Sequence, residues 1–170
     1  KEITSKLMEN YDNSILIMNS DHGMPDPHPD RSNFYYEWLI NNNIPLNRHD
    51  LLMTDDNILI PLIINYPDCP NKIIDVPVGA IDIFHTILDL LNIQHKNKFS
   101  GSYVGKTLVP LINGNYKNEY MLRKFRTDAR YIAQDGNITS IRGKNFKYVN
   151  SKIPYGGLDN EQFYDLIKDP

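Results

Sequence analysis

Ser14-Ile15-Leu16-Ile17-Met18-Asn19-Ser20-Asp21-His22-Gly23 is the stretch on which the fold turns. A run of aliphatic side chains leads without a break into a carboxylate, an imidazole and a glycine. A short apolar run without alternation fits a strand buried on both faces. Strands of that kind belong to parallel sheets covered by helices, so the run predicts an α/β layered core. In open sheets, ligands collect beyond the carboxyl ends of the strands. Asp21 and His22 fall at that end.

The pair offers donors of different hardness. Carboxylate oxygens suit calcium or magnesium, and an imidazole widens the choice to manganese or zinc. Gly23 would let the backbone come close to another group or take positive φ. Local chemistry also allows a plain turn, with Asp21 as a cap and His22 in solvent.

Working outward, Ile3, Leu7 and Tyr11 recur at helical spacing and predict a helix over residues 2–11, broken by Asp12-Asn13. Beyond Gly23, prolines at 25, 27 and 29 mark a loop. Phe34, Tyr35, Trp38 and Leu39 then predict a short helix over 33–41, whose aromatics, with Tyr36, suit core or a lid. A second apolar strand is predicted over 58–65, with Pro61 marking an edge or an irregularity. Ala80, Phe84, Ile87, Leu88 and Leu91 share one face of a helix over 79–91, which places Asp82, His85 and Asp89 on its solvated face.

After about residue 116 the pattern changes. Residues 129–133, 138–142 and 146–149 are short runs bounded by the turn sequences Asp135-Gly136-Asn137 and Gly143-Lys144-Asn145, which signal hairpins. The expected organisation is an α/β part over 1–115 and a small, incomplete antiparallel sheet over 116–170.

At 170 residues the chain can bury a real core. Its net charge of −3 includes no Lys/Arg block, which argues against a nucleic-acid partner. No run approaches the roughly 18 apolar residues of a membrane helix. The single cysteine, Cys69, excludes an internal disulfide. Asn137-Ile138-Thr139 is a glycosylation sequon only in a secreted eukaryotic protein. The chain opens at Lys1 and stops at Asp169-Pro170 within a patterned segment, so a longer protein is expected.

The order of motifs carries more than any one of them. Ser20-Asp21-His22-Gly23 closes a buried strand. Asp55-Asp56-Asn57-Ile58-Leu59-Ile60-Pro61-Leu62-Ile63-Ile64 is an acidic pair leading into a Pro-Leu-Ile-Ile strand. Val78–Leu91, Gly105-Lys106-Thr107-Leu108-Val109-Pro110-Leu111-Ile112-Asn113-Gly114, Phe146-Lys147-Tyr148-Val149 and Phe163-Tyr164-Asp165-Leu166-Ile167-Lys168-Asp169-Pro170 follow. Taken in this order, the six resemble the C-terminal part of sulfatases, members of the alkaline-phosphatase-like superfamily.

The resemblance implies an alkaline-phosphatase-like layered core, here partial, followed by the small antiparallel C-terminal sheet. It implies metal-assisted hydrolysis of a small-molecule or carbohydrate sulfate ester. The expected ion is calcium, with magnesium, manganese and zinc as alternatives. Asp21 and His22 match a pair of metal ligands. Many sulfatases carry Asn where His22 stands, and the Asp-His pairing also occurs in phosphatase and phosphonate-hydrolase relatives. A His and a Lys usually lie near the substrate oxygens between this loop and the next strand. That span holds His28, Arg48 and His49 but no Lys. His49 or Arg48 is expected to serve the leaving oxygen catalytically, and His28 to bind substrate. The Cys/Ser-x-Pro-x-Arg nucleophile motif is absent, since Cys69-Pro70-Asn71-Lys72 has its proline one place early. A phosphodiesterase, phosphonate hydrolase or phosphotransferase of the same superfamily is the rival enzyme class, and an inactive fragment the non-enzymatic one.

Overall fold

A computed structural model of the protein describes residues 13–23, 41, 53–94, 105–115, 118–131, 136–151 and 161–168. The helices expected over 2–11 and 33–41 lie outside the described residues, apart from Asn41, which is helical. The described residues fall into two compact units. One lies within Lys1–Ser20 and Pro61–Met121, the other within Asp21–Ile60 and Leu122–Pro170.

In the first unit, β1 (Leu16–Asn19) pairs with β2 (Leu62–Asn65). The pairing is antiparallel, with Leu16 opposite Asn65 and Met18 opposite Ile63. This corrects the expectation of a strand buried on both faces in a parallel sheet. Met18 and its partner Ile63 are 39% and 47% exposed, so one face of the pair is open. An apolar run reports the potential for burial and carries no information on strand direction. β2 also begins later than expected. Ile58 ends a single helical turn, α1 (Asp55–Ile58), and Pro61, which has no N–H to give a ladder, stands just before the strand.

Leu62 and Ile64 point the other way and pack on a buried cluster of Val76, Leu108, Leu111, Ile112 and Tyr120. Leu108 precedes a short helix, α3 (Val109–Ile112), whose Pro110 sits in the first turn, where a missing N–H costs nothing. Tyr120 belongs to a further turn, α4 (Asn118–Met121), and donates its hydroxyl to the Thr107 carbonyl at 2.7 Å.

Between β2 and α3 runs α2 (Ile81–Leu90). Its buried residues are not the predicted apolar face. Asp82 and Thr86 are fully buried, whereas Ile81, Phe84 and the following Leu91 are about half exposed. The cause is hydrogen bonding. The Asp82 carboxylate accepts the Gly79 and Lys106 amides, each at 2.9 Å. One turn later, the Thr86 hydroxyl donates to the Asp82 carbonyl at 2.7 Å and accepts the Leu108 amide at 2.9 Å. Two polar side chains thus tie the segment 105–108 to the helix. Gly105 is required by the same closeness, because a Cβ there would lie 1.9 Å from the Ile81 carbonyl oxygen.

The second unit holds a four-stranded antiparallel meander in sequence order. Its strands are β3 (Phe125–Tyr131), β4 (Gly136–Arg142), β5 (Phe146–Ser151) and β6 (Glu161–Asp165). The turn expected at Gly143–Asn145 is present, with the Gly143 amide donating to the Phe146 carbonyl at 2.9 Å. Along β5, Lys147, Val149 and Ser151 are buried and alternate with half-buried Phe146, Tyr148 and Asn150. That is the period of two expected of a sheet covered on one side. On the other face Phe146 and Phe163 stack with ring centres 6.0 Å apart. The α/β class with a small antiparallel sheet therefore holds.

Candidate metal centre

Asp21, His22 and Gly23 form a bend soon after β1 ends. The Asp21 side chain is 85% exposed, and its Oδ1 accepts the amide of His22 at 3.0 Å. The His22 ring is turned so that Nδ1 lies 2.6 Å from the Gly23 carbonyl oxygen. A carbonyl can only accept, so Nδ1 is the donor in this contact. Nε2 stands 3.6 Å from Asp21 Oδ2. This is how metal-binding histidines are commonly held, with one nitrogen fixed by a carbonyl and the other presented beside an oxygen donor. The two side chains therefore fit a divalent cation as part of a larger ligand set, although no group of three or more His, Cys, Asp or Glu occurs among the described residues. Of the two roles foreseen for Gly23, close approach is the one observed. A Cβ there would lie 1.9 Å from the Asp56 carbonyl oxygen, and the Gly23 amide donates to the Asn57 carbonyl at 2.8 Å.

Asp56 and Asn57 belong to α1, which is fixed by its first residue. Asp55 Oδ2 accepts Arg142 Nη2 at 2.9 Å and Nε at 3.2 Å, while Oδ1 accepts Lys147 Nζ at 3.0 Å. Arg142 closes β4 and Lys147 lies near the start of β5 on the covered face, with its side chain only 8% exposed. The Lys147 ammonium also sits 4.8 Å from the centre of the Tyr164 ring. Burial pushes the Asp55 carboxyl towards a higher pKa. The hydrogen bonds and charges of Arg142 and Lys147 outweigh this and hold it below the usual carboxylate range.

His28, Arg48 and His49 lie outside the described residues. The expectation that Asp82, His85 and Asp89 share a solvated polar face is corrected for Asp82 and His85, while Asp89 is exposed as expected. Asp82 is buried beneath backbone amides, His85 is half-buried edge-on to Phe84, and Asp89 accepts the Thr107 hydroxyl at 2.7 Å. Cys69 is a free, half-buried thiol directed at the Ile64 carbonyl, 3.7 Å away. The first unit also has a mainly aliphatic cavity of about 330 Å³, lined by Cys69 and Lys72 among others. It contains no carboxylate or imidazole, so it does not compete with the Asp-His bend as a metal centre.

The Asp55–Arg142–Lys147 cluster was missed in the sequence. Its signals were there, in the acidic pair Asp55-Asp56 and the Lys147-Tyr148 strand, but nothing local couples residues 87 and 92 positions apart.

The sulfatase family model matches residues 1–93. The chain belongs to the sulfatase family. It is 31% identical over 111 residues to the choline-sulfatase of Rhizobium meliloti (strain 1021), an alignment covering 65% of this chain and 20% of that protein. Among solved structures, it superposes on a sulfatase-like protein of Bacteroides thetaiotaomicron VPI-5482 with a TM-score of 0.67 and 19% identity, over 99% of this chain and 34% of the other. A protein solved in complex with its substrate, D-glucosamine-2-N,6-O-disulfate, gives a TM-score of 0.60 and 19% identity, covering 99% of this chain and 32% of the other. These structures carry the alkaline-phosphatase-like fold. The chain thus spans about a third of the solved relatives and a fifth of the curated one.

Proposed function

We propose that the complete protein is a sulfuric ester hydrolase and that Asp21 and His22 supply part of its divalent-metal site. The observation that carries this reading is the His22 ring. Its Nδ1 is committed to the Gly23 carbonyl and its Nε2 is turned towards Asp21. This occurs within the residues matched by the sulfatase family model.

A bound divalent ion, calcium by expectation, would withdraw charge from a sulfate oxygen. The chain's own part is to hold two donors still. Asp21 extends its carboxylate into solvent, and His22 cannot rotate without giving up the Gly23 carbonyl. Arg48 or His49 is assigned to the leaving alcohol, either as a positive charge beside the departing oxygen or as a proton donor to it. His28 is assigned to the substrate. The nucleophile is assigned to the part of the family's domain that this chain does not span. The substrate class is a sulfate ester of a small molecule or a carbohydrate. Support comes from the choline-sulfatase relative and from the disulfated glucosamine bound by one structural neighbour.

His22, where many sulfatases carry Asn, favours one second reading: a phosphodiesterase or phosphonate hydrolase of the same superfamily. The test is to assay the complete protein on aryl sulfate, bis-aryl phosphate and aryl phosphonate substrates, with Asp21→Ala alongside. The sulfatase reading expects the highest kcat/KM on sulfate and a loss of about a hundredfold or more in Asp21→Ala, the scale of removing one strong electrostatic contact to the transition state. Preferred turnover of the phosphorus esters would hand the assignment to the second reading. Undiminished turnover by Asp21→Ala would remove this residue from the site.

A further inference from the structure

We propose that Asp55, gripped by Arg142 and Lys147, is a positioning residue that sets the geometry of the Asp21-His22 pair. The inference rests on the reading of that pair as metal donors. It follows a chain of contacts within the second unit. Arg142 and Lys147 are fixed in adjacent strands of the sheet, where they form a cross-strand pair. Together they hold both oxygens of Asp55, one by a two-pronged guanidinium contact and the other by an ammonium. Asp55 opens a helix of a single turn, with no side-chain cap at Thr54 to fix it otherwise. Two residues on, the Asn57 carbonyl holds the Gly23 amide at 2.8 Å, and the Asp56 carbonyl stands where a Gly23 side chain would be. Gly23 in turn supplies the carbonyl that orients His22. A short helix cannot hold its own position, because most helical stability comes from packing. The sheet therefore reaches the metal donors through Asp55. Loss of a group that orients a metal ligand typically weakens binding 10- to 100-fold.

The test compares Asp55→Asn with Asp21→Ala and Val149→Ala in the complete, metal-stripped protein. Val149 is 4% exposed in the same sheet and its side chain carries no charged or hydrogen-bonding group, so its truncation reports a structural loss. Calcium affinity is read by calorimetry, hydrogen exchange of the Asp21–Gly23 peptide by mass spectrometry, and folding by thermal melting. The expected result is a calcium Kd about tenfold higher in Asp55→Asn, faster exchange at Asp21–Gly23 without metal, and kcat restored at saturating calcium. Val149→Ala should melt earlier with its calcium Kd unchanged. Folded Asp55→Asn with wild-type affinity, beside an Asp21→Ala that has lost calcium, would overturn the positioning role and leave the metal site standing. Wild-type affinity in Asp21→Ala would instead remove the metal reading, and the proposal with it. If Asp55→Asn does not fold, Arg142→Lys keeps the charge but loses the fork. A several-fold rise in its calcium Kd supports the proposal, and an unchanged value overturns it.

Discussion

Each unit is tied by an acidic side chain, and the two ties are made differently. Asp82 in the first unit is fully buried and accepts main-chain amides, those of Gly79 and Lys106. Asp55 in the second is partly exposed and accepts side-chain cations, Arg142 and Lys147. Main-chain donors survive most substitutions at their own positions, so among charged groups the first tie depends on residue 82, with Gly105 keeping the approach close. The second can be dismantled at any of three positions, and its strength depends on charge. The first suits a fixed scaffold. The second suits a joint whose placement matters more than its contribution to stability.

The sharpest way to break the comparison is Asp82→Ala. It leaves two amides without their acceptor in a buried site, at about 1–3 kcal/mol each. A loss of roughly 2–6 kcal/mol in urea unfolding of the complete protein is expected. A loss under about 1 kcal/mol would show that water replaces the carboxylate and that the first tie is no stronger than an exposed one.

Acid should separate the ties next. The Asp55 pKa is lowered in the folded state, so its stabilisation is fully present above the unfolded-state value near 3.8 and is lost as pH falls through the lower folded value. The stability gap between the wild type and Asp55→Asn should therefore stay constant from about pH 7 to pH 5 and close below about pH 4. A gap unchanged at low pH would mean that Asp55 acts through packing rather than charge.

The smallest effect is expected at an exposed ion pair. Arg126 Nε meets Asp128 Oδ2 at 2.9 Å, with both side chains about half exposed. Arg126→Ala should change thermal stability by less than about 0.5 kcal/mol. A larger loss would show that charge pairs on this sheet matter even without burial.

Local pattern was legible in the sequence and long-range partnership was not. The turn at Gly143–Asn145 and the alternation of β5 could be read because a hairpin is specified by adjacent residues. Asp21 and His22 could be singled out as candidates because a carboxylate and an imidazole sit together just past a strand end. The direction of β1 against β2 could not, since Ser14–Asn19 is apolar whichever way its partner runs. Asp82 misled for a physical reason. A carboxylate two places from Ala80 and from Phe84 falls off their face of a helix and looks solvated, and only the amides brought in from Gly79 and Lys106 make it a buried one. Asp55 was hidden because its partners are 87 and 92 residues away.

That separation also bears on how the molecule assembles. The meander joins strands that are neighbours in the chain, so its loops close cheaply and its pairing can form early. The grip on Asp55 must wait until β4 and β5 have formed and a loop of some ninety residues has closed. The orientation of His22 is thus expected to be among the last features acquired. Under the metal-site proposal, a chain stalled before that step would carry Asp21 and His22 without the geometry to use them, and would bind metal weakly until its sheet is complete.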